Sequence, residues 1–321
     1  MKISVVLAAY NRKKLLDNTI SAFLLQDYVD KEIIIVDNAS SDGTKEMVLS
    51  KYPADKYPEL KYIYLPANID IRAVNIAIAI STGEIIWRSD DDAYLRDTDS
   101  LTKIAHIMTN NPEIGIICAA LINRDVENNK DYFVKWYPSE IDYENVPDNG
   151  YKAHVFSGAG AALRKEMLNK IGYFWKFGYE EIEISTRAIV AGYQVRYFPN
   201  IAILHFGAYF NGVYEYWYWD KSTLQLLRYQ AKYFPLRKAL IRTSIIIFYQ
   251  FLFTMKYKFT FKQTLVGTKN MFKSVFNTLQ NERDSVPKEL VKDITLGESL
   301  SKGYNDRLFG FLKKRFLNGY K

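Results

Sequence analysis

The sequence predicts an α/β fold with a mostly parallel central sheet flanked by helices. Two apolar runs, Lys2–Ala8 and Lys31–Val36, are rich in β-branched residues and are typical of buried strands. Between them, Lys13–Gln26 has its apolar residues at helical spacing. Polar residues follow each run where a strand would end. This alternation is typical of an open parallel sheet, which binds its ligands at the carboxyl ends of its strands.

The following two hundred or so residues continue the alternation. Further strands are predicted, in chain order, at 60–65, 84–87, 110–117, 156–164, 193–198 and 202–205. Helices are predicted after the turn that ends at Thr44, at 73–80, at 166–171, and over a segment that Gly192 closes after Ala191. The stretch 123–150 is polar, aromatic and irregular, so we expect a long loop or a hairpin over the site.

Length and composition bound the architecture. The chain has 321 residues, 48% of them hydrophobic, and we predict a large domain at 1–230 followed by a helical basic extension at 231–321. The single cysteine, Cys118, excludes an internal disulfide framework and favours a cytoplasmic, reducing compartment. The first apolar run is too short for a secretory signal, and no uncharged run approaches the length of a membrane span.

The positive charge is concentrated in the last part of the chain. Residues 236–321 contain 17 Lys or Arg and 6 Asp or Glu, whereas the first 235 residues contain 26 and 30. A basic tail favours an anionic partner, and because no nucleic-acid-binding motif accompanies the charge we expect no nucleic acid. Basic residues also flank the apolar stretch 243–255, and 310–317 is a second small basic amphipathic piece. These features favour docking at a membrane surface, or alternatively packing and homo-oligomerisation.

Three consecutive carboxylates, Asp90-Asp91-Asp92, follow the strand predicted at 84–87. Asp90 and Asp92 are two residues apart in an extended segment and therefore point to the same side. Together they can bind one divalent cation, and oxygen ligands suit Mg²⁺ or Mn²⁺. A solvated acidic turn is the alternative. Because no glycine-rich phosphate loop is present, we expect any nucleotide phosphates to be bound through the metal.

Several motifs now form a recognisable series over residues 2–230. In order they are Tyr10-Asn11-Arg12, Val36-Asp37-Asn38 through Thr44, Asp90-Asp91-Asp92, Gly158–Ala162, Glu180-Glu181, Ala191-Gly192-Tyr193-Gln194-Val195 and His205. Taken together, the series resembles the family 2 inverting glycosyltransferases, which have a GT-A fold. The resemblance implies an enzyme that moves a sugar from a nucleotide-diphosphate donor.

The resemblance also implies roles for individual residues. The nucleotide site would comprise Ala9, Tyr10, Arg12, Asp37, Arg72, Asp90 and Asp91, with Asp37 on the base. Asp92 and His205 would bind Mn²⁺ or Mg²⁺, and Glu181 would be the catalytic base. An acceptor or donor pocket would include Gly158, Ala159, Glu180 and Trp217.

The chain departs from the family pattern at the catalytic pair. The usual Glu-Asp is Glu180-Glu181 here, and Glu183 is a competing candidate for the base. Carboxylates at a helix N-terminus also stabilise any helix through its dipole, which is the structural alternative for this cluster. His205 and Arg72 likewise have structural alternatives, as a core histidine and a solvated arginine. The aromatic stretch 209–220 fits helix packing, an acceptor groove or a membrane interface.

We therefore expect a metal-dependent inverting hexosyltransferase. Its donor would be a UDP-sugar and its acceptor a glycan or a lipid-linked molecule, in cell-surface polysaccharide synthesis at the inner face of the cell membrane. A non-catalytic member of the same fold that binds glycan or a partner is the alternative. A nucleotidyltransferase on a related sheet is a third reading, which the missing glycine-rich loop disfavours.

Overall fold

The computed structural model describes residues 1–125, 130–134, 141–206, 216–257, 260–292 and 294, without the side chains of 134, 216–222 and 249–257. The strands are β1 Ile3–Ala9, β2 Lys31–Asp37, β3 Leu60–Tyr64, β4 Ile85–Asp90, β5 Ala93–Leu95, β6 Ile114–Asp125, β7 Lys130–Val134, β8 Tyr151–Lys152, β9 Gly160–Arg164 and β10 Gln194–His205. The helices are α1 Lys13–Leu24, α2 Thr44–Lys51, α3 Arg72–Ile80, α4 Ser100–Asn110, α5 Lys165–Ile171, α6 Glu180–Val190, α7 Tyr216–Tyr233, α8 Leu236–Tyr257 and α9 Phe261–Asn281, followed by a 3₁₀ turn at Lys288–Leu290.

One sheet organises the described part of the chain. Its strand order is β3-β2-β1-β4-β9-β6-β10-β5, with β7 beside β6 and β8 beside β10. Strands β1, β2, β3 and β4 are parallel, and β6 is parallel to β10. Along this order β9 and β5 run opposite to the other strands. The predicted α/β architecture with a mostly parallel sheet and C-terminal helices is therefore confirmed.

Helices cover both faces of the sheet because its strands alternate their side chains between the two faces. On β1, Val5 and Leu7 pack with Ile20 of α1 in one buried cluster. Val6 points the other way and packs with Val74 of α3. These five side chains are fully or almost fully buried, so β1 is fixed by the core on both faces.

Some elements differ from the sequence prediction, among them α4 and β8, which were not predicted. The strands predicted at 193–198 and 202–205 are a single strand, β10, with a register irregularity between Phe198 and Ala202. Short β5 was not predicted; it pairs with the end of β10. In the stretch 123–150, β7 pairs with β6 as a hairpin, one of the two alternatives that the sequence left open, and 126–129 and 135–140 lie outside the described residues.

The C-terminal helices pack against the sheet domain through an aromatic cluster. Tyr229, Tyr233 and Phe234 lie in one buried cluster with Val155 and Ile182. Helix α7 continues through residue 230, so the division predicted between 1–230 and 231–321 falls inside a helix and stays a prediction. The segments 209–215 and 310–317 lie outside the described residues. Within those that are described, no helix is both long and apolar enough to cross a membrane.

A buried carboxylate joins the first three strands at the end away from the candidate site. Glu32 on β2 accepts hydrogen bonds from Ser4 Oγ at 2.6 Å, from the Thr82 amide at 2.6 Å and from Lys61 Nζ at 2.7 Å. Burial alone would raise the pKa of Glu32, but these donors lower the pKa to about 2. The carboxylate therefore stabilises the folded state in its charged form.

Replacing Glu32 should make the free energy of unfolding less dependent on pH in the acidic range. Because the folded pKa lies below the ordinary value of 4.5, the contribution is present above that value and is lost as the pH falls towards 2. We expect Glu32→Gln to lower the free energy of unfolding by about 1–3 kcal/mol near neutral pH. The difference from wild type should shrink in urea titrations at decreasing pH. A constant difference would contradict this assignment, and exposed Glu113→Gln is the control.

Candidate active site

The site lies where the carboxyl ends of β1, β2 and β4 meet. Among the described residues, the non-glycine residues with positive φ are Asn11 at 52°, Ala39 at 66°, Asp70 at 56° and Tyr179 at 106°. They follow β1, follow β2, precede α3 and precede α6, respectively. Such conformations cost energy and tend to persist where a loop has to hold a functional shape.

Among the three aspartates, Asp91 makes the hydrogen bonds that hold the loop after β1. It is buried, and it accepts hydrogen bonds from the Tyr10 amide at 3.1 Å and from Arg12 Nη1 at 3.0 Å. Its own carbonyl accepts a bond from the Thr19 hydroxyl at 3.0 Å. Burial raises the pKa of Asp91 to about 7, although the positive charge of Arg12 opposes the rise. Asp91 thus fixes the loop after β1 against the end of β4.

Asp90, Asp92 and His205 form a cluster suited to a cation. Each offers one ligand atom, and these atoms all lie within 4.8 Å of one another. The His205 Nε2 atom is 3.4 Å from Asp92 Oδ1. That oxygen is buried and has no hydrogen-bond partner among the described residues. Just after the end of β10, the Phe206 amide donates a hydrogen bond to the Asp92 carbonyl at 2.8 Å. This bond places His205, the last residue of β10, beside Asp92.

Asn123 orients the imidazole, and sequence reasoning missed it. Its Oδ1 atom lies 2.9 Å from His205 Nδ1, so Nδ1–H donates and Nε2 faces Asp92. This is the arrangement that a metal-binding histidine usually has. Burial lowers the pKa of His205, but the neighbouring Asp92 raises it overall, so a cation would compete with a proton here. Only the pairing of β6 with β10 brings Asn123 beside His205, and no local pattern signals it.

Arg12 contacts the same carboxylates from the other side. Its Nη1 atom is 2.5 Å from Asp92 Oδ2, and about half of its side chain is exposed. The guanidinium therefore neutralises part of the acidic cluster and can still turn towards solvent.

A buried arginine, Arg88, connects the acidic series to α6. Its Nη2 atom is 3.2 Å from Asp90 Oδ1, and its Nη1 atom is 3.7 Å from Glu181 Oε1. Nη1 also donates a short hydrogen bond to the Gly158 carbonyl. Sequence reasoning missed this residue too. The available signal was an arginine inside the apolar run of β4, next to Trp87.

The three glutamates of the first turn of α6 have different environments. Glu183 is buried and is held by Arg187 at 2.7 Å and by the Tyr233 hydroxyl at 2.6 Å. Glu180 is 3% exposed and accepts the Gly178 amide at 2.6 Å. Burial, together with the charge of Glu181, raises the pKa of Glu180 to about 8. The Glu181 side chain is 24% exposed, and burial raises its pKa, although the positive charge of Arg88 opposes the rise.

Gly158 leaves the space in which Glu181 and Arg88 meet. A Cβ atom at this position would lie against Glu181 Oε1 and 2.6 Å from Arg88 Nη1. Both contacts are with the ends of flexible side chains, so a methyl group would displace these ends and leave the backbone in place. The glycine therefore preserves the position of two charged groups.

Gly158→Ala should impair the site and spare the fold. We expect turnover to fall by about tenfold or more, because small displacements of reacting groups are costly. The midpoint of thermal unfolding and the affinity for UDP with Mn²⁺ should stay close to those of wild type. Steady-state kinetics together with calorimetry separate these quantities. Unchanged turnover would show that the position of Glu181 is not critical.

The end of β2 supplies the other side of the site. Asp37 is fully buried, and its carboxylate accepts bonds from the Ser40 amide at 2.7 Å and from the Tyr62 hydroxyl at 2.5 Å. Tyr10 is half-exposed. Arg72 opens α3, is exposed, and donates from Nε to the Ile69 carbonyl in its own loop at 3.0 Å. Thus Asp37 braces the loop after β2, whereas Tyr10 and Arg72 are accessible to a ligand.

The structure thus brings most of the predicted site residues to one edge of the sheet. Ala9 is buried at the end of β1, where its carbonyl accepts the Asn38 amide at 2.8 Å. Ala159 is buried beside β4, and its carbonyl accepts a hydrogen bond from the Ser89 hydroxyl at 3.0 Å. Trp217 lies in α7, but its side chain is outside the described part of the chain.

Comparison with known proteins identifies the fold and the family. The model of glycosyl transferase family 2 matches residues 4–172, more than half of the chain. The poly-beta-1,6-N-acetyl-D-glucosamine synthase of Staphylococcus epidermidis is 26% identical over 208 residues, which cover 62% of this chain and 48% of that protein. The chain thus spans about half the length of the curated relatives it matches.

Two solved structures have the same fold. S. aureus TarS 1–349 in complex with UDP-GlcNAc superposes with a TM-score of 0.60 at 15% identity, over 95% of this chain and 92% of that one. The mannosyltransferase PcManGT from Pyrobaculum calidifontis, in complex with GDP-Man and Mn²⁺, gives a TM-score of 0.56 at 18% identity, over 88% of each chain. These likenesses confirm the predicted GT-A type of α/β fold.

Proposed function

Because the chain belongs to glycosyltransferase family 2, we propose that it moves a hexose from a UDP-sugar to a glycan or lipid-linked acceptor, with inversion. The observation that carries this proposal is the arrangement around Arg88. One buried guanidinium lies between Asp90 of the candidate cation site and Glu181, the candidate base. Donor and acceptor chemistry could therefore take place within one connected set of side chains.

The donor set supports a divalent cation, and Mn²⁺ in particular. Asp90 and Asp92 offer oxygens and His205 offers a nitrogen, and a cation would satisfy the charge at the Asp92 oxygen that makes no hydrogen bond within the described part of the chain. Imidazole suits manganese better than magnesium, which prefers oxygen ligands alone. When bound, the cation would stabilise the charge that develops on the leaving diphosphate. The PcManGT complex holds Mn²⁺, which is consistent with this choice.

The protein groups divide the remaining work. Glu181 accepts the proton of the acceptor hydroxyl, which makes that oxygen a better nucleophile. Arg88 positions the Glu181 carboxylate, and its positive charge opposes the rise in the Glu181 pKa that burial causes. Arg12 is held by Asp91, and the exposed half of its side chain would contact the diphosphate. A single displacement by the hydroxyl, on the face opposite the leaving group, gives inversion, as in the single-displacement reactions of inverting glycosidases.

We assign nucleotide binding to the ends of β1 and β2. Asp37 would act on the base directly or through the loop that it braces, while Ala9 and Tyr10 line the pocket and Arg72 approaches the phosphates. Asp91 would serve by holding Tyr10 and Arg12 in place. Gly158, Ala159, Glu180 and Trp217 remain our candidates for the pocket that receives the sugars.

We place the reaction in cell-surface polysaccharide synthesis, at the inner face of the membrane. The name of the Staphylococcus epidermidis relative describes a polymer of N-acetyl-D-glucosamine, and the TarS complex contains UDP-GlcNAc. These names favour UDP-N-acetylglucosamine as the first donor to test. GDP and TDP are kept as competing nucleotides, because PcManGT is recorded with GDP-Man.

Calorimetric titration of UDP, GDP and TDP, each with and without Mn²⁺, tests the proposal. We expect UDP to bind more tightly than the others and only with the cation present. Release of UDP from a panel of UDP-sugars then identifies the donor. Cation-dependent binding without turnover of any donor would instead favour the non-catalytic alternative, and no nucleotide binding would refute the proposal.

A further inference from the structure

Helix α9 has one face that packs on the protein. Gly267, Met271, Val275 and Thr278 are buried on this face. Met271 and Val275 share a cluster with residues of α7. The N-terminus of α9 carries a complete capping box between Thr260 and Gln263, so the helix begins in a defined way. The remaining faces of α9 therefore have fixed directions relative to the protein body.

A second face of α9 is apolar and exposed. Phe261 is 82% exposed, Leu265 61%, Phe272 58% and Phe276 62%. At 3.6 residues per turn these four side chains fall within an arc of about 60°, adjoining the buried face. We call them the aromatic stripe. An exposed helix face is ordinarily polar, and a contiguous apolar surface of this kind marks an interaction site.

Lysines run along the outer border of the aromatic stripe. Lys262, Lys269 and Lys273 are exposed and lie within about 60° of its edge on the helix surface. Over residues 236–281 the sequence contains eight Lys or Arg and no Asp or Glu. Helix α8, which contacts α9, also exposes Leu240, Ile241 and Ile245. The aromatic stripe and the three lysines at its border therefore share one surface of α9.

We propose that the aromatic stripe docks on an anionic lipid bilayer, with α9 lying in the plane of the interface. Phenylalanine and leucine side chains insert at the boundary between headgroups and acyl chains, while lysines beside them reach the phosphate groups. Anionic lipids supply the charge that this surface lacks. A second copy of the chain fits less well, because it would bring an equally basic surface into contact.

Vesicle co-sedimentation of the full chain tests the proposal. The vesicles are phosphatidylcholine alone, or phosphatidylcholine mixed with phosphatidylglycerol. We expect binding to the mixed vesicles that weakens as salt is added. The double variant Phe272→Ser with Phe276→Ser should lose at least about tenfold in partitioning. Lys269→Gln and Lys273→Gln should each lose about fivefold, and only on the anionic vesicles.

A matched control and two further readouts make the test decisive. Val29 is 91% exposed on another part of the surface, so Val29→Ser should bind vesicles like wild type. Unchanged vesicle binding by the stripe variant would overturn the proposal, as would absence of binding by wild type. A dimer in light scattering that the stripe variant loses, with no vesicle binding, would also overturn it. Titration of UDP with Mn²⁺ on the same variants keeps this outcome separate from the proposed sugar transfer.

Discussion

Asp92→Asn is expected to abolish the dependence of UDP binding on Mn²⁺ and to lower the affinity by at least about 100-fold. The substitution keeps the size of the side chain but removes the charge from the cation cluster. It also removes the carboxylate that faces His205 Nε2 at 3.4 Å. Calorimetry with and without Mn²⁺ measures both effects directly. Affinity that stays equally cation-dependent would show that Asp92 does not hold the cation.

Asp97→Asn is the matched control for this experiment. Asp97 lies shortly after β5 and forms a partly exposed ion pair with Arg96 at 2.8 Å. Exposed pairs of this kind contribute little, so we expect UDP affinity to be unchanged. Thermal unfolding of both variants, measured without nucleotide, shows whether any loss of binding reflects loss of the fold.

Glu181→Gln is expected to lower turnover by about 10³-fold or more while leaving UDP affinity within about twofold of wild type. Glutamine keeps the shape of the side chain but cannot accept the proton of the acceptor hydroxyl. Release of UDP from the donor identified by the panel, measured with acceptor present, gives the rate. Because the base acts on the acceptor, the nucleotide half of the site should remain intact.

Glu180→Gln provides a sharp comparison on the neighbouring residue. The pKa of Glu180 is raised to about 8, so near neutral pH this carboxyl is mostly protonated and an amide resembles it. We therefore expect a loss of turnover far smaller than that of Glu181→Gln. The reverse order, with Glu180→Gln inactive and Glu181→Gln active, would assign the base to Glu180.

Local patterns in the sequence were sufficient to predict the first strands and the grouping of Asp90 with Asp92. The apolar runs of β1, β2 and β4 mark strands that the core buries on both sides. Asp90 and Asp92 lie together as predicted, but the extended conformation assumed for them was wrong, because β4 ends at Asp90 and residues 91 and 92 form a turn. Asp91 bonds to Tyr10 and Arg12 instead. The proposed roles of these residues come from the family resemblance and stay predictions.

Long-range pairing explains what the sequence could not provide. Asn123 reaches His205 across 82 positions because β6 and β10 are neighbours, and Arg88 reaches the Gly158 carbonyl across 70. Strand β9 lies between β4 and β6 and runs antiparallel to both. Its sequence of small residues does not indicate this direction. Periodicity reports which face a residue occupies, but it does not report which strand lies beside it.

The contact between α6 and α7 limits how far the chain can be shortened from its C-terminal side without disturbing α6. A fragment ending at residue 230 would lose Tyr233 and Phe234. The Glu183 carboxylate would then keep Arg187 but lose the hydroxyl that donates to it, and Ile182 would lose part of its apolar cover. These changes fall within the first turn of the helix that carries the candidate base. The smallest fragment that preserves this helix therefore extends well past the matched residues 4–172 and includes all of α7.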